Sequence, residues 1–123
     1  MSKEKEINWL SEVQDHDYPA AESYLTLLFD EDKAAELINK LKNVSFSQFK
    51  AKDIFRASQL SLLGVSNYHV EKDRKKILKG KSLSPILLVR DEQSRKLIIA
   101  DGYHRLCAIY QFDEDALIHC KII

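Results

Sequence analysis

The residues of this chain best placed to do chemistry are Asp101, Gly102, Tyr103, His104 and Arg105, which lie between an apolar run, Lys96 to Ala100, and a helical pattern that continues through Leu106 and Cys107 to Tyr110. A strand that passes through a glycine straight into a helix puts His104 and Arg105 on the first helical turn. That turn carries unpaired backbone N–H groups and the positive end of the helix dipole, so it attracts anions before any side chain is added. Helix stability alone would favour acidic residues there, and the basic pair runs against that preference. Local conflicts of this kind tend to mark function. Gly102 permits the unusual dihedrals and close approach that a phosphate turn requires. Arg105 can present a fork of donors to phosphate oxygens. His104 can donate to phosphate or carry a proton, because its ordinary pKa lies close to neutrality. Asp101 has two readings, as an N-cap that satisfies backbone donors, or as a group that orients His104, activates a hydroxyl or helps hold a metal-bound nucleotide. Asp101 and His104 are accordingly the expected catalytic residues.

A second group, His69, Lys72 and Lys76, falls at helical spacing i, i+3, i+7 and shares one face. Such a stripe is either a solvated basic face or a set of outer contacts to phosphate. His16 stands between Asp15 and Asp17 ahead of a helix, an adjacency that reads as a solvated cap, because neighbouring positions do not place metal ligands on one helix face. No metal site is read from the sequence. Cys107 and Cys120 sit in apolar contexts and read as buried structural thiols.

These groups must be positioned by elements that the pattern outlines. Tyr18 to Leu28 reads as a helix with Asp17 as N-cap and Pro19 in the first turn, its apolar face formed by Tyr18, Ala21, Tyr24, Leu25 and Leu28. Asp30 or Asp32 caps a second helix in which Ala34, Leu37, Ile38 and Leu41 repeat at i, i+3, i+4, i+7. The stripe of this pair either covers one face of a sheet or forms a homodimer or partner surface. Val44 to Lys50 reads as a half-buried strand. A short helix or irregular stretch follows between Ala51 and Leu63, with Gly64 as its stop. Ser66 or Asn67 then caps a helix from Tyr68 to Lys79 that closes at Gly80. Ile86 to Val89 has the unbroken apolar run of a strand covered on both faces, and Leu97 to Ala100 returns beside it after a turn at Asp91 to Arg95. Tyr103 to Phe112 is helix, and Ala116 to Ile122 alternates as a partly exposed sheet edge.

The strand, the Gly102-Tyr103-His104-Arg105 turn and the Leu106-Cys107-Ala108 that follows resemble the phosphate-binding motif of the ParB/sulfiredoxin superfamily, a G-x-x-R or G-x-H-R turn between strand and helix. Ser84 to Arg90, the polar Asp91 to Arg95 and Lys96 to Ala100 are similar to that family's central hairpin in order and spacing. The resemblance runs from about Val44 to Ile123 and marks the chain as a small stand-alone member of bacterial type. It implies a nucleotide or phosphate pocket, with the helix of His69, Lys72 and Lys76 lending side chains to the phosphates. The family's reactions are diverse, including DNA-partitioning CTPases, a sulfinic acid reductase, free-serine kinases and nucleases, and fold does not fix chemistry. Tyr103 stands where the reductase has its reactive cysteine, so that reaction lacks its nucleophile here. ParB proteins carry DNA-binding and dimerisation regions after this domain, and with the chain closing at Ile123 partitioning by it alone is not expected.

The 123 residues suit one core. We therefore expect a single domain of α/β (α+β) class, with residues 1–43 as a helical elaboration and 44–123 as a ParB/sulfiredoxin-like core built on a small mixed sheet. Its 19 basic and 19 acidic residues balance, which argues against a dedicated nucleic-acid binder. No signal-peptide-like or membrane-length apolar stretch is present, so a cytoplasmic protein is expected. The expected ligand is a nucleotide or small phosphorylated molecule, ATP or CTP with magnesium, bound by Gly102, Tyr103, His104, Arg105, Lys72, Lys76 and His69. With such a pocket the natural reaction is phosphoryl transfer or nucleotide hydrolysis. The alternative is a non-catalytic regulatory or protein-interaction module, and behind it a nuclease or DNA-associated protein.

Overall fold

The computed structural model describes residues 6–64 and 66–123. Nine elements follow one another: α1 (Asp17–Leu25), α2 (Glu31–Asn43), β1 (Phe46–Lys50), α3 (Ala51–Ser58), α4 (Tyr68–Leu78), β2 (Ile86–Asp91), β3 (Lys96–Asp101), α5 (Tyr103–Phe112) and β4 (Leu117–Ile122). The strands form one mixed sheet in the order β1-β4-β2-β3, antiparallel at β1/β4 and β2/β3 and parallel at β2/β4. This is the expected α+β class.

The apolar run of β2 has a direct cause. Side chains alternate between faces along a strand. Ile86 and Leu88 enter a cluster with Ile54 and Phe55 of α3, Val70 and Ile77 of α4, and Leu106 and Ile109 of α5. Leu87 and Val89 enter the opposite cluster with Ala21 and Leu25 of α1 and Ala34, Leu37, Ile38 and Leu41 of α2. Helices thus cover both faces, and the apolar stripe of the amino-terminal pair lies against the sheet. Asp30 caps α2 by accepting a 2.7 Å hydrogen bond from the Lys33 N–H, and Asn67 caps α4 by accepting from the N–H groups of His69 and Val70.

Four expectations need correction. Helix α1 ends at Leu25, leaving Leu28 exposed, and Asp17 lies inside it; the N-cap position is His16, which makes no side-chain cap bond. Helix α3 stops at Ser58 rather than near Gly64, because Gln59 turns left-handed at φ 58° and its N–H closes on the Phe55 carbonyl. Strand β1 starts at Phe46, not Val44. Finally, β4 is an interior strand, and the edges are β1 and β3. Of its polar residues Lys121 is buried, its ammonium donating to the Lys42 carbonyl at 3.0 Å and sitting over the Phe46 ring, while the half-buried His119 stacks on Trp9.

Candidate functional site

Strand β3 ends at Asp101, and Gly102 adopts φ 108° to turn the chain into α5. The first intrahelical bond runs from the Leu106 N–H to the Gly102 carbonyl at 2.9 Å. Helix α5 has no side-chain cap, so the N–H groups of Tyr103, His104 and Arg105 head the helix as first-turn donors. Asp101 therefore does not cap it. A cleft of about 530 Å³ opens at this end of the sheet, where β3 finishes and β2 begins. Asp101, Gly102, Tyr103, His104 and Arg105 line it together with His69, Lys72 and Lys76 of α4. The structure thus brings all eight sequence-singled residues to one cavity, though 25 to 36 positions separate the α4 residues from Asp101 to Arg105 on the chain.

The wall formed by β3, α1 and the segment before β2 pairs most of its charges internally. Arg105 Nη2 donates to Asp101 Oδ2 at 2.9 Å, and Nη1 lies 3.5 Å from Asp17 Oδ2. The same Asp17 oxygen accepts from Ser84 Oγ at 2.5 Å, and Ser84 Oγ in turn accepts the Gln14 N–H at 3.1 Å. Asp17 is 2% exposed. Arg105 Nε is buried with no partner among the described residues. Burial pushes the Asp101 carboxyl above its ordinary range; Arg105 opposes that shift and the neighbouring Asp17 adds to it. Gly102 belongs to this arrangement, since a Cβ there would lie 2.8 Å from Arg105 Nη2 and 2.8 Å from Ile86 Cγ1. The glycine makes room for the chain's own guanidinium.

The α4 wall is different. Lys72 and Lys76 close no ion pair among the described residues, and neither does Asp73 between them. Burial raises the Asp73 carboxyl against the pull of Lys76, Arg105, His104 and Lys72. The rings of His69 and His104 lie 4.9 Å apart where the two helix starts meet. Burial lowers the His104 pKa, and His69 lowers it further. The Tyr103 ring lies 5.7 Å from that of His104, and its hydroxyl donates to the Ser61 carbonyl.

Two residues of the cleft were missed by sequence reading. Asp17 reads locally as a helix cap, and only the docking of α1 on the sheet brings it to Arg105. Asp73 shares its helix face with His69 and Lys76 at i+4 and i−3, a spacing that was there to be read. Among the described residues no cluster of three or more His, Cys, Asp or Glu side chains could hold a metal ion, and no helix is long and apolar enough to cross a membrane.

The class that fold and cleft define is an α+β domain with a strand–glycine–helix turn open to solvent between two helix starts. No protein-family model, no curated protein and no solved structure matches the chain.

Proposed function

We propose that this cleft binds a phosphorylated small molecule, with a nucleotide such as ATP or CTP as the leading ligand. The observation that carries the reading is the pair of ammonium groups, Lys72 and Lys76, which close no ion pair among the described residues and line the same cavity as the uncapped start of α5. A cleft-lining cation with no internal partner is a standing site for an external anion, and the first-turn N–H groups of α5 add donors of the same sign. His104, kept neutral by burial, donates one N–H and gains a second on protonation. In this reading Arg105 is not a direct phosphate ligand. Its fork is already closed on Asp101 and Asp17, so it shapes the floor of the site and contributes its remaining field.

Magnesium fits this reading as a companion of the ligand. With Asp101 and Asp17 both engaged by Arg105, the ion would be held chiefly by the ligand's own phosphates and water, as is usual for it. A resemblance to the ParB/sulfiredoxin superfamily supports the same conclusion from the Gly102-to-Arg105 turn, and a place among its nucleotide-binding members is part of the proposal.

The test is a thermal-shift and calorimetric titration with pyrophosphate, ATP and CTP, each with and without magnesium, on the wild type and on a Lys72→Ala/Lys76→Ala double variant. A ligand at a hundred times its Kd stabilises the native state by about 2.7 kcal/mol. Charge-assisted hydrogen bonds contribute about 1.5–3 kcal/mol each, so the double variant should bind at least about tenfold more weakly. Equal affinity in the two proteins, or no shift in the wild type, would overturn the assignment.

A further inference from the structure

Of the three carboxylates lining the cleft, Asp17 and Asp101 are engaged by Arg105 and Ser84, and Asp73 alone closes no hydrogen bond or ion pair among the described residues. It sits half-buried on α4 between the two ammonium groups, with His104 and Arg105 facing it from α5. A negative charge on this wall works against anion binding. A site selected only to hold phosphate would be better served by a neutral residue there. An unpaired carboxylate among cations is explained by a role that uses its proton affinity.

Resting on the phosphate-binding reading above, we propose that Asp73 is the general base of a hydrolytic phosphoryl transfer in this cleft, acting on the terminal phosphate of a nucleoside triphosphate. Water held by the Asp73 carboxylate loses a proton to it as the water oxygen bonds to the terminal phosphorus. The bond from phosphorus to the bridging oxygen breaks, its electron pair leaves with the nucleoside diphosphate, and the products are the nucleoside diphosphate and inorganic phosphate. The proton on Asp73 then passes to solvent through the open side of the cleft. Lys72, Lys76 and the α5 first turn stand where they can neutralise charge on the transferring and leaving oxygens, the part of such reactions that proteins chiefly supply.

The groups around Asp73 set its titration. Lys72 and Lys76 flank it on its own helix with His69 a turn away, and His104 and Arg105 face it from α5. Asp101 from β3, with Asp17 and His16 from the start of α1, lines the same cleft. Burial outweighs the cations and raises its pKa, which makes it a stronger base than a solvated aspartate. The base must be ionised to act, so activity is present above that raised value and is lost as pH falls through it.

The experiment is phosphate release from ATP and CTP with magnesium, measured beside ligand binding for the wild type, Asp73→Asn and Asp73→Glu. Expected is turnover in the wild type, and in Asp73→Asn a fall of about 100-fold or more with affinity unchanged or tighter. Asp73→Glu should recover part of the rate, and the acid limb of the rate profile should vanish in Asp73→Asn. If Asp73→Asn does not fold, the wild-type acid limb and the rate of Asp73→Glu decide the question. Wild-type binding without phosphate release overturns this proposal and leaves the binding site standing, as does an Asp73→Asn rate equal to wild type or a loss confined to affinity. No binding of either nucleotide overturns both.

Discussion

On one wall of the cleft Arg105 gives its guanidinium to Asp101 and Asp17, whereas on the other Lys72 and Lys76 have no acidic partner among the described residues. The first set is largely buried, and its charges hold α1, β3 and α5 together. The second lies on one helix whose fold is held elsewhere, by Val70 and Ile77 in the core and by the Asn67 cap. The contrast separates two uses of the same residue types. A cation buried beside carboxylates is part of the architecture, because removing it strands their charges. A cation without a partner is available to something that is not part of the protein.

Substitution should break the two walls in different ways. Arg105→Ala has the largest expected effect, since it leaves Asp17 and Asp101 without their cation. A loss of about 3 kcal/mol in a denaturant melt is expected, against no more than about 0.5 kcal/mol for Lys72→Ala or Lys76→Ala. Similar losses in all three would erase the distinction. Arg105→Ala is for this reason a poor probe of ligand affinity, and the lysines are the better one.

Gly102→Ala comes next. It forces a side chain at φ 108° into contact with Arg105 Nη2 and Ile86 Cγ1, at an expected cost of about 2 kcal/mol. Its Asp101–Arg105 pair should also loosen, visible as a change in pH dependence of the melt in the acid range. A neutral outcome would mean that the turn relaxes freely.

The finest effect concerns His104. Burial and His69 hold its pKa below the ordinary 6.5, so the unfolded chain takes up the proton first. The stability linked to this group is then fully present above about pH 6.5 and is lost as pH falls through the lower folded value. A bound phosphate should reverse the shift, because an adjacent anion favours the imidazolium. Imidazole NMR titration with and without pyrophosphate reads this directly, and an unmoved His104 would remove it from the binding wall.

What the sequence made legible was local. The Gly102-to-Arg105 turn, the α4 stripe and the α2 stripe each lie within a few residues, and periodicity is enough to show them. The two-sided burial of β2 was equally plain, from its unbroken apolar run. The position of β4 was not, because its alternation has the look of an edge strand. Lys121 is nevertheless buried, with its charge carried to a helix carbonyl and an aromatic ring by partners distant in the chain. Asp17 escaped for the same reason. Its neighbours give it the sequence of a cap, and only the packing of α1 on the sheet makes it a partner of Arg105. The partners of Arg105 were hidden in the same way: the residue lies at the cleft, and the acids that engage it come from two separate elements.

The space beneath Gly102 bears on how this domain could change over evolutionary time. Arg105 and Ile86 fill the volume that any larger residue would need, so selection for folding alone is enough to retain the glycine in a descendant that has abandoned every ligand. Its persistence among relatives would say nothing about activity. Lys72, Asp73 and Lys76 are under no comparable demand from the fold, and they are the positions free to drift first once the cleft has fallen out of use.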